Sequence, residues 1–239
     1  MTTSKGVAGN NSRSTRAKSK ETNERLIKAA TKLFCQKGYG STSIREIAQA
    51  ANANSALIKY YFGGKEGLFR HVFKEVTAPL NRTRQVRFAR LIEAGEFDVD
   101  DVVRAWVEPM FEDTTFPAHS AVASLSLGLT AEYDKLSDQL IAQVYDDINE
   151  QFLSMLERCL PQVTRAALVW RLYFLVGAVL TATRSRKTSF TRLSGDRMDG
   201  TDYQELVRQL VAFTSSGFRA ITEDADTTPR SPTKRTKKP

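Results

Sequence analysis

Residues 43–62 read SIREIAQAANANSALIKYYF and carry the signals of two short helices joined by a tight turn. Ser43 and Glu46 have the spacing of a capping box, which starts a helix at the next residue. Asn52 follows that helix, and asparagine tolerates the left-handed turn conformation better than other non-glycine residues. Asn54 can then cap a second helix that begins with small polar residues. The stretch predicts a helix-turn-helix, whose second helix enters the DNA major groove.

Helical periodicity continues on both sides of this stretch. Ahead of it, apolar residues recur on one face of a first helix that ends near Gly38: Leu26, Ala29, Ala30, Leu33 and Phe34. Behind it, Pro79 either ends or bends a helix over 65–77. Further helices are predicted over 81–94, 98–113, 119–132, 136–160, 163–186 and 202–221.

No segment shows the alternating pattern of a β-strand, so the predicted fold class is all-α. We expect an N-terminal three-helix helix-turn-helix domain over 20–66 and a C-terminal helical-bundle domain over 67–221. The polar, basic ends of the chain, 1–19 and 222–239, lack the apolar residues that would repay their ordering. We predict a flexible basic arm and a flexible basic tail.

The net charge of +8 is distributed unevenly along the 239 residues. Residues 1–65 carry +9, residues 66–221 carry −3 and the tail from 222 carries +2. A basic front on a slightly acidic body indicates that the part holding the helix-turn-helix meets a polyanion.

Composition also excludes several classes of protein. Cys35 and Cys159 are the only cysteines and stand far apart, so neither a disulfide framework nor a zinc site is predicted. The N-terminus has no apolar signal segment. The longest uninterrupted apolar run, 172–182, is shorter than the roughly 20 residues of a spanning helix. We expect a soluble, cytoplasmic protein with no membrane partner.

Residues 21–69 resemble the DNA-binding domain of the TetR-type bacterial transcriptional regulators. The matching features lie at fixed spacing and are Ala29-Ala30 with Leu33-Phe34, Gly38-Tyr39, Thr42-Ser43, Ile47-Ala48, Ala51, Tyr61-Phe62, Lys65-Glu66 and Leu68. The resemblance implies that this segment binds a double-stranded DNA operator.

The resemblance also implies which residues meet DNA: Thr42, Ser43, Arg45, Asn54, Ser55, Ala56, Lys59, Tyr60, Tyr61 and Lys65. Asn52 stands where the family commonly has glycine, and Lys59 where it commonly has tyrosine. Lys59 should therefore raise salt dependence more than specificity. Tyr61 and Phe62 cannot both point to DNA, and Tyr39 is either a core residue or a phosphate contact.

Residues 81–221 carry no recognisable set of catalytic groups, and we predict no enzyme activity, no cofactor and no metal site. The apolar helical surface has two plausible uses, a seam between two subunits and a small-molecule pocket, and ordinary core packing is the competing interpretation for each pocket residue. The candidate effector-binding residues are Trp106, Met110, Phe111, Phe116, Leu125, Leu129, Phe152, Trp170, Arg171 and Phe174.

Arg171 interrupts an apolar helix and must find a partner there. It could pair with Glu132 or another internal carboxylate, which we favour, or with an anionic ligand. Through Leu160-Pro161, Trp170-Arg171, Phe174 and Gly177-Ala178, the region around 120–220 loosely resembles the TetR-type branch that includes sensors of fatty acids and acyl-thioesters.

A palindromic operator requires a two-fold dimer. Helices 136–160 and 163–186 present apolar residues that could form a seam between two subunits: Val144, Ile148, Met155, Leu168, Leu172, Leu175, Val176 and Val179.

We expect a homodimeric, sequence-specific regulator, most simply a repressor that a small apolar or amphipathic effector releases from its operator. The alternative is a constitutive or architectural DNA-binding dimer without an effector.

Overall fold

The computed structural model describes residues 8–112, 116–132, 135–183, 189–199 and 201–220. In these residues the chain forms α-helices and one 3-10 turn, and no strand, so the all-α prediction is confirmed. The helices are α1 (Ala8–Lys37), α2 (Ile44–Ala50), α3 (Ala56–Phe62), α4 (Lys65–Ala94), α5 (Val99–Val107) with a 3-10 turn (Glu108–Met110), α6 (Phe116–Glu132), α7 (Lys135–Cys159), α8 (Arg165–Ala182), α9 (Ser189–Leu193) and α10 (Tyr203–Arg219).

Two hydrophobic cores divide the molecule. The head core joins α1, α2, α3 and the first half of α4, and α6 and α7 also contribute residues to it. Its members include Phe34, Ile47, Ile58, Phe69, Leu125, Leu129 and Leu140. The body core joins the second half of α4 with α5, α6, α7, α8 and α10. We call the two regions the head and the body.

Helix α4 runs through both cores, which corrects the prediction of separate helices over 65–77 and 81–94. Pro79 lies inside this 30-residue helix, although an interior proline removes a backbone hydrogen bond. Phe73 on one side of Pro79 is buried in the head core, and Leu80 and Phe88 on the other side are buried in the body core. Burial at both ends holds the helix together across the proline.

Helix α1 begins at Ala8, so residues 8–19 are helical where we predicted a flexible arm. No proline interrupts the segment, and ion pairs one turn apart, Lys20 with Glu24 and Glu21 with Arg25, favour helix. The first seven residues of the predicted arm and the predicted tail 222–239 lie outside the described residues.

Helix α9 was not predicted, since its five residues are too short to show a period. Helix α8 is, among the described residues, the one helix long and apolar enough by composition to cross a membrane, and 28% of it is buried. A helix at the core of a soluble protein meets the same criterion. Because only 28% of α8 is buried, core packing alone does not explain its apolar exposed face.

Candidate nucleic-acid interface and ligand pocket

The predicted capping box opens α2. The Ser43 hydroxyl accepts a hydrogen bond from the Glu46 backbone N–H at 3.2 Å, and the Glu46 carboxylate accepts one from the Ser43 N–H at 2.9 Å. Lys37 also donates to this carboxylate at 2.7 Å. The hydrogen bond from Lys37, followed by those from Ser43, lowers the pKa of Glu46 to about 2. The start of α2 is thus fixed to the end of α1.

Asn52 adopts the left-handed conformation expected of it, with φ of 48°. The backbone N–H of Ala53 donates to the Ala48 carbonyl, which closes the turn. The Asn54 side chain accepts a hydrogen bond from the N–H of Ala56, the first residue of α3, at 2.8 Å, although the residue at the N-cap position is Ser55. The helix-turn-helix geometry is therefore the one predicted from 43–62.

Helix α3 ends at Gly63, whose φ of 76° favours glycine. Gly67 then brings α4 against the end of α3, because a Cβ atom there would overlap the Phe62 carbonyl oxygen. These two glycines permit the close packing of α4 against the end of α3.

Six of the ten predicted DNA-contacting residues are exposed on the first turn of α2, directly before α3 and on α3 itself. We call this surface the DNA face: Arg45, Asn54, Ser55, Ala56, Lys59 and Tyr60. Ser43 is also exposed, beside Arg45. Tyr60 is 80% exposed. So high an exposure is unusual for tyrosine, which is usually at least partly buried.

Three predicted contacts sit differently. Thr42 is 1% exposed and donates its hydroxyl hydrogen to the Gly38 carbonyl at 2.8 Å, so we remove its side chain from the proposed contacts. The Tyr61 hydroxyl lies 2.7 Å from the Ser19 hydroxyl of α1. Lys65 lies over the Tyr39 ring, with its ammonium 4.4 Å from the ring centre, and donates to the Gly40 carbonyl.

Tyr39, Tyr61 and Phe62, each of which could be a core residue or a DNA contact, all pack within the head. Tyr39 packs against Phe34 and Phe69 of the head core, with ring centres 6.0 and 4.8 Å apart. Phe62 packs against His71 of α4 and is half-buried, as is Tyr61. Among Tyr60, Tyr61 and Phe62, which follow one another on α3, Tyr60 is the exposed residue.

The body contains a largely apolar pocket of about 340 Å³ between α4, α5, α6, α7 and α8. Val169 and Tyr173 are both exposed and mark its opening. Its lining residues are Leu80, Arg84, Trp106, Met110, Val122, Ser126, Ile141, Tyr145, Asn149, Val169, Leu172, Tyr173, Val176, Val179 and Leu180.

Of the predicted effector-binding residues whose side chains the structure describes, two line this pocket, Trp106 and Met110. Leu125 and Leu129 belong to the head core and Phe152 to the body core. The others are displaced for other reasons: Phe111 lines a separate surface cleft, Trp170 and Phe174 are exposed, and the Phe116 side chain lies outside the described residues.

Arg171 has described partners at the end of α10, whereas the side chain of Glu132, which we favoured as its partner, lies outside the described residues. Its guanidinium donates to the carbonyl oxygens of Phe218 and Ala220 at 2.9 and 2.5 Å. These carbonyls end α10, where helices leave acceptors without backbone partners. The described partners of Arg171 are therefore backbone carbonyls, where we expected a carboxylate.

The predicted dimer-seam residues pack inside the chain. Ile148, Met155, Leu168, Leu175 and Val179 are at most 2% exposed in the body core. Leu172, Val176 and Val179 line the pocket, and Val144 packs against the head core. Helical spacing identified the apolar face correctly, but that face is the inner one.

Most of the pocket-lining residues were not predicted from the sequence, and the charged one among those described is Arg84. It is 2% exposed, lines the pocket and donates from Nε to the Trp106 carbonyl at 2.9 Å. Its guanidinium carbon lies 3.7 Å from the centre of the Trp106 ring. The sequence indicates this burial, because Leu80, Arg84 and Phe88 are spaced by four residues and therefore share one face of α4.

A capped helix-turn-helix with an exposed basic face, carried on a helical body with its own pocket, defines a DNA-binding regulator. A family model described as bacterial regulatory proteins of the tetR family matches residues 26–72. A second, described as the tetracyclin repressor-like C-terminal domain, matches residues 104–217. The chain belongs to the TetR family of transcriptional regulators.

Curated relatives carry names of the same kind. The probable HTH-type transcriptional regulator YttP of Bacillus subtilis is 45% identical over 62 residues, 26% of this chain and 30% of that protein. The HTH-type transcriptional regulator BetI of Paraburkholderia phymatum is 30% identical over 46% of this chain and 66% of its own. These matches span less than two thirds of either relative.

Solved structures share the fold. HlyIIR, a hemolysin II transcriptional regulator, superposes with a TM-score of 0.56 at 22% identity, covering 82% of this chain and 97% of its own. The fatty acid degradation regulator FadR from Bacillus halodurans does so with a TM-score of 0.54 at 16% identity, covering 81% and 98%. At these identities the likeness concerns the fold.

Proposed function

We propose that this protein is a cytoplasmic, homodimeric repressor that leaves a palindromic operator when a small effector occupies the body pocket. One observation carries the effector part of the proposal. Helix α6 contributes Val122 and Ser126 to the pocket wall and Leu125 and Leu129 to the head core. A ligand that moves α6 must therefore disturb the packing of the head.

The DNA face supports operator binding by the head. Arg45 and Lys59 supply charge for phosphates, and Asn54 and Ser55 stand at the start of α3, where recognition helices meet base edges. The Ser43–Glu46 cap and the Asn52 turn hold α2 and α3 at a fixed angle, so these groups are positioned before DNA arrives.

The outer face of α8 supports dimerisation. Trp170, Tyr173 and Phe174 are each more than 60% exposed there, and Trp170 and Phe174 stack with ring centres 6.1 Å apart. Phe213 of the adjacent α10 is 74% exposed. An aromatic patch of this kind marks an interaction surface. Two helices from each subunit would bury it in a four-helix contact.

A second contact joins the pocket helix to the head. The Cys35 thiol of α1 lies 3.9 Å from the Ala121 carbonyl of α6. Because α1 also carries Lys37, which holds the start of α2, a shift of α6 would reach the helix-turn-helix through α1 as well as through the core.

Selection of the full-length protein on a library of random DNA duplexes tests this function. We expect enrichment of a palindrome whose half-sites lie one or more whole helical turns apart, about 34 Å per turn. Footprinting should then show two protected half-sites for one dimer. Salt-sensitive binding without an enriched sequence would replace the proposal with an architectural role.

A further inference from the structure

Arg84 is a buried cation with unused hydrogen-bonding capacity. A guanidinium has five N–H donors, and the described bond to the Trp106 carbonyl engages one of them. Among the described residues, no carboxylate lies within salt-bridge distance of Arg84. A buried charge without a counter-charge is costly and stabilises an anion that reaches it.

Arg84 keeps its charge in this setting. Burial lowers the pKa of its guanidinium to about 10, and the neighbouring phenol of Tyr145 opposes that change. Burial also raises the pKa of Tyr145, so this hydroxyl is neutral at physiological pH. The pocket therefore holds one positive charge at neutral pH.

Trp106 adds a second donor beside the guanidinium. Its indole Nε1 is buried and has no hydrogen-bond partner in the described structure, and its ring lies against Arg84. Asn149 contributes a buried oxygen that also lacks a partner. Unpartnered polar atoms are rare in protein interiors. The largely apolar lining thus includes two residues with spare donors, Arg84 and Trp106, and one with a spare acceptor, Asn149, while the hydroxyls of Ser126 and Tyr145 lie 3.4 Å from each other.

We propose that the pocket takes a small organic carboxylate, whose oxygens accept hydrogen bonds from Arg84 and the Trp106 indole while its hydrocarbon body contacts the apolar wall. This inference rests on the proposed effector role of the pocket. A planar guanidinium matches the two oxygens of a carboxylate. The volume of about 340 Å³ lies near the lower limit for ligand pockets and favours a compact molecule.

The test compares carboxylates with alcohols of the same hydrocarbon body. Calorimetry on the full-length protein would use 4-phenylbutyrate against 4-phenylbutanol, and octanoate against octanol. Because hydrogen bonds to charged groups are strong, we expect each carboxylate to bind at least about tenfold tighter than its alcohol. This comparison uses the unchanged protein, so its outcome does not depend on whether a variant folds.

Variants then assign the preference to Arg84. Arg84→Met should abolish the preference for the carboxylate, and Arg84→Lys should retain part of it. Arg82→Met removes an exposed arginine from the same helix and should leave the preference unchanged. A preference that survives in a folded Arg84→Met protein would overturn the assignment.

The outcomes separate this inference from the proposed function. Equal binding of carboxylate and alcohol, or no binding of either pair up to millimolar concentration, overturns the inference. If both alcohols and carboxylates bind equally and weaken binding to the selected operator, the repressor proposal still stands. If carboxylates bind tightly through Arg84 but leave operator affinity unchanged, the inference stands and the effector role fails.

Discussion

Lys59 is the exposed cation in the middle of the recognition helix α3, and its role can be isolated by salt dependence. Lys59→Ala should weaken binding to the selected operator and to unrelated DNA alike. The slope of log affinity against log salt should fall by about one, because one phosphate contact is lost. Fluorescence anisotropy over a series of salt concentrations measures the slope.

Lys74→Ala provides the matched control, since Lys74 is an exposed lysine of α4 outside the DNA face. Its slope should equal that of the unchanged protein. An unaltered slope in Lys59→Ala would remove Lys59 from the phosphate contacts.

At the scale of single residues, the sequence predicted backbone roles better than side-chain partners. Asn52, Ser43 and Glu46 act locally, within a few residues of chain, and their roles could be read from spacing. Arg171 and Arg84 find partners on distant helices. Helical spacing places them on a face but does not identify what lies across from it.

The cap that joins α1 to α2 should respond to pH. The carboxylate of Glu46 has a lowered pKa, about 2, in the folded protein. It therefore stabilises the fold above the ordinary carboxyl pKa near 4.5, and this contribution disappears as pH falls towards 2. The difference in unfolding free energy between the unchanged protein and Glu46→Gln should be largest near pH 6 and shrink by pH 3.

Urea unfolding followed by circular dichroism at fixed protein concentration measures this difference. Glu24→Gln is the control, because Glu24 is exposed and its ion pair with Lys20 is long, at 3.9 Å. A difference for Glu46→Gln that is as large at pH 3 as at pH 6 would contradict the role of the cap.

At the scale of elements, the presence of a helix was easier to predict than the residues at which it begins and ends. Helices α6, α7, α8 and α10 lie within a few residues of their predicted bounds, whereas α5 ends at Val107, six residues before the predicted end at 113. Helix α4 was divided at Pro79 because local propensity opposes a proline there, whereas burial in two cores overrides it. The inner and outer faces of α8 could not be distinguished, because both are apolar.

For the whole molecule, the aromatic patch on α8 and α10 predicts the oligomeric state. Phe174→Glu places a charge in this patch and should convert the dimer to monomers with weak operator binding, since one head cannot span two half-sites. Analytical ultracentrifugation at micromolar concentration measures the mass.

Val86→Glu introduces the same charge at an exposed apolar position of α4, outside the aromatic patch. This variant should remain dimeric. A dimer that persists in Phe174→Glu would move the subunit contact elsewhere on the body.

We propose that occupation of the body pocket lowers the affinity for DNA through a movement of α6. Val122 is 1% exposed on the pocket wall, and Val122→Phe would partly fill the space that a ligand occupies. Val86→Phe adds the same volume at an exposed position of α4. Both proteins would first be checked for native helix content and for the dimer.

The decisive measurement is the affinity of the Val122→Phe dimer for the selected operator without any ligand. If pocket occupation moves α6 and the head, this affinity should fall by about tenfold or more, within the usual range of allosteric coupling, while Val86→Phe binds normally. A folded, dimeric Val122→Phe protein that binds the operator as tightly as the unchanged protein would contradict coupling between pocket and head.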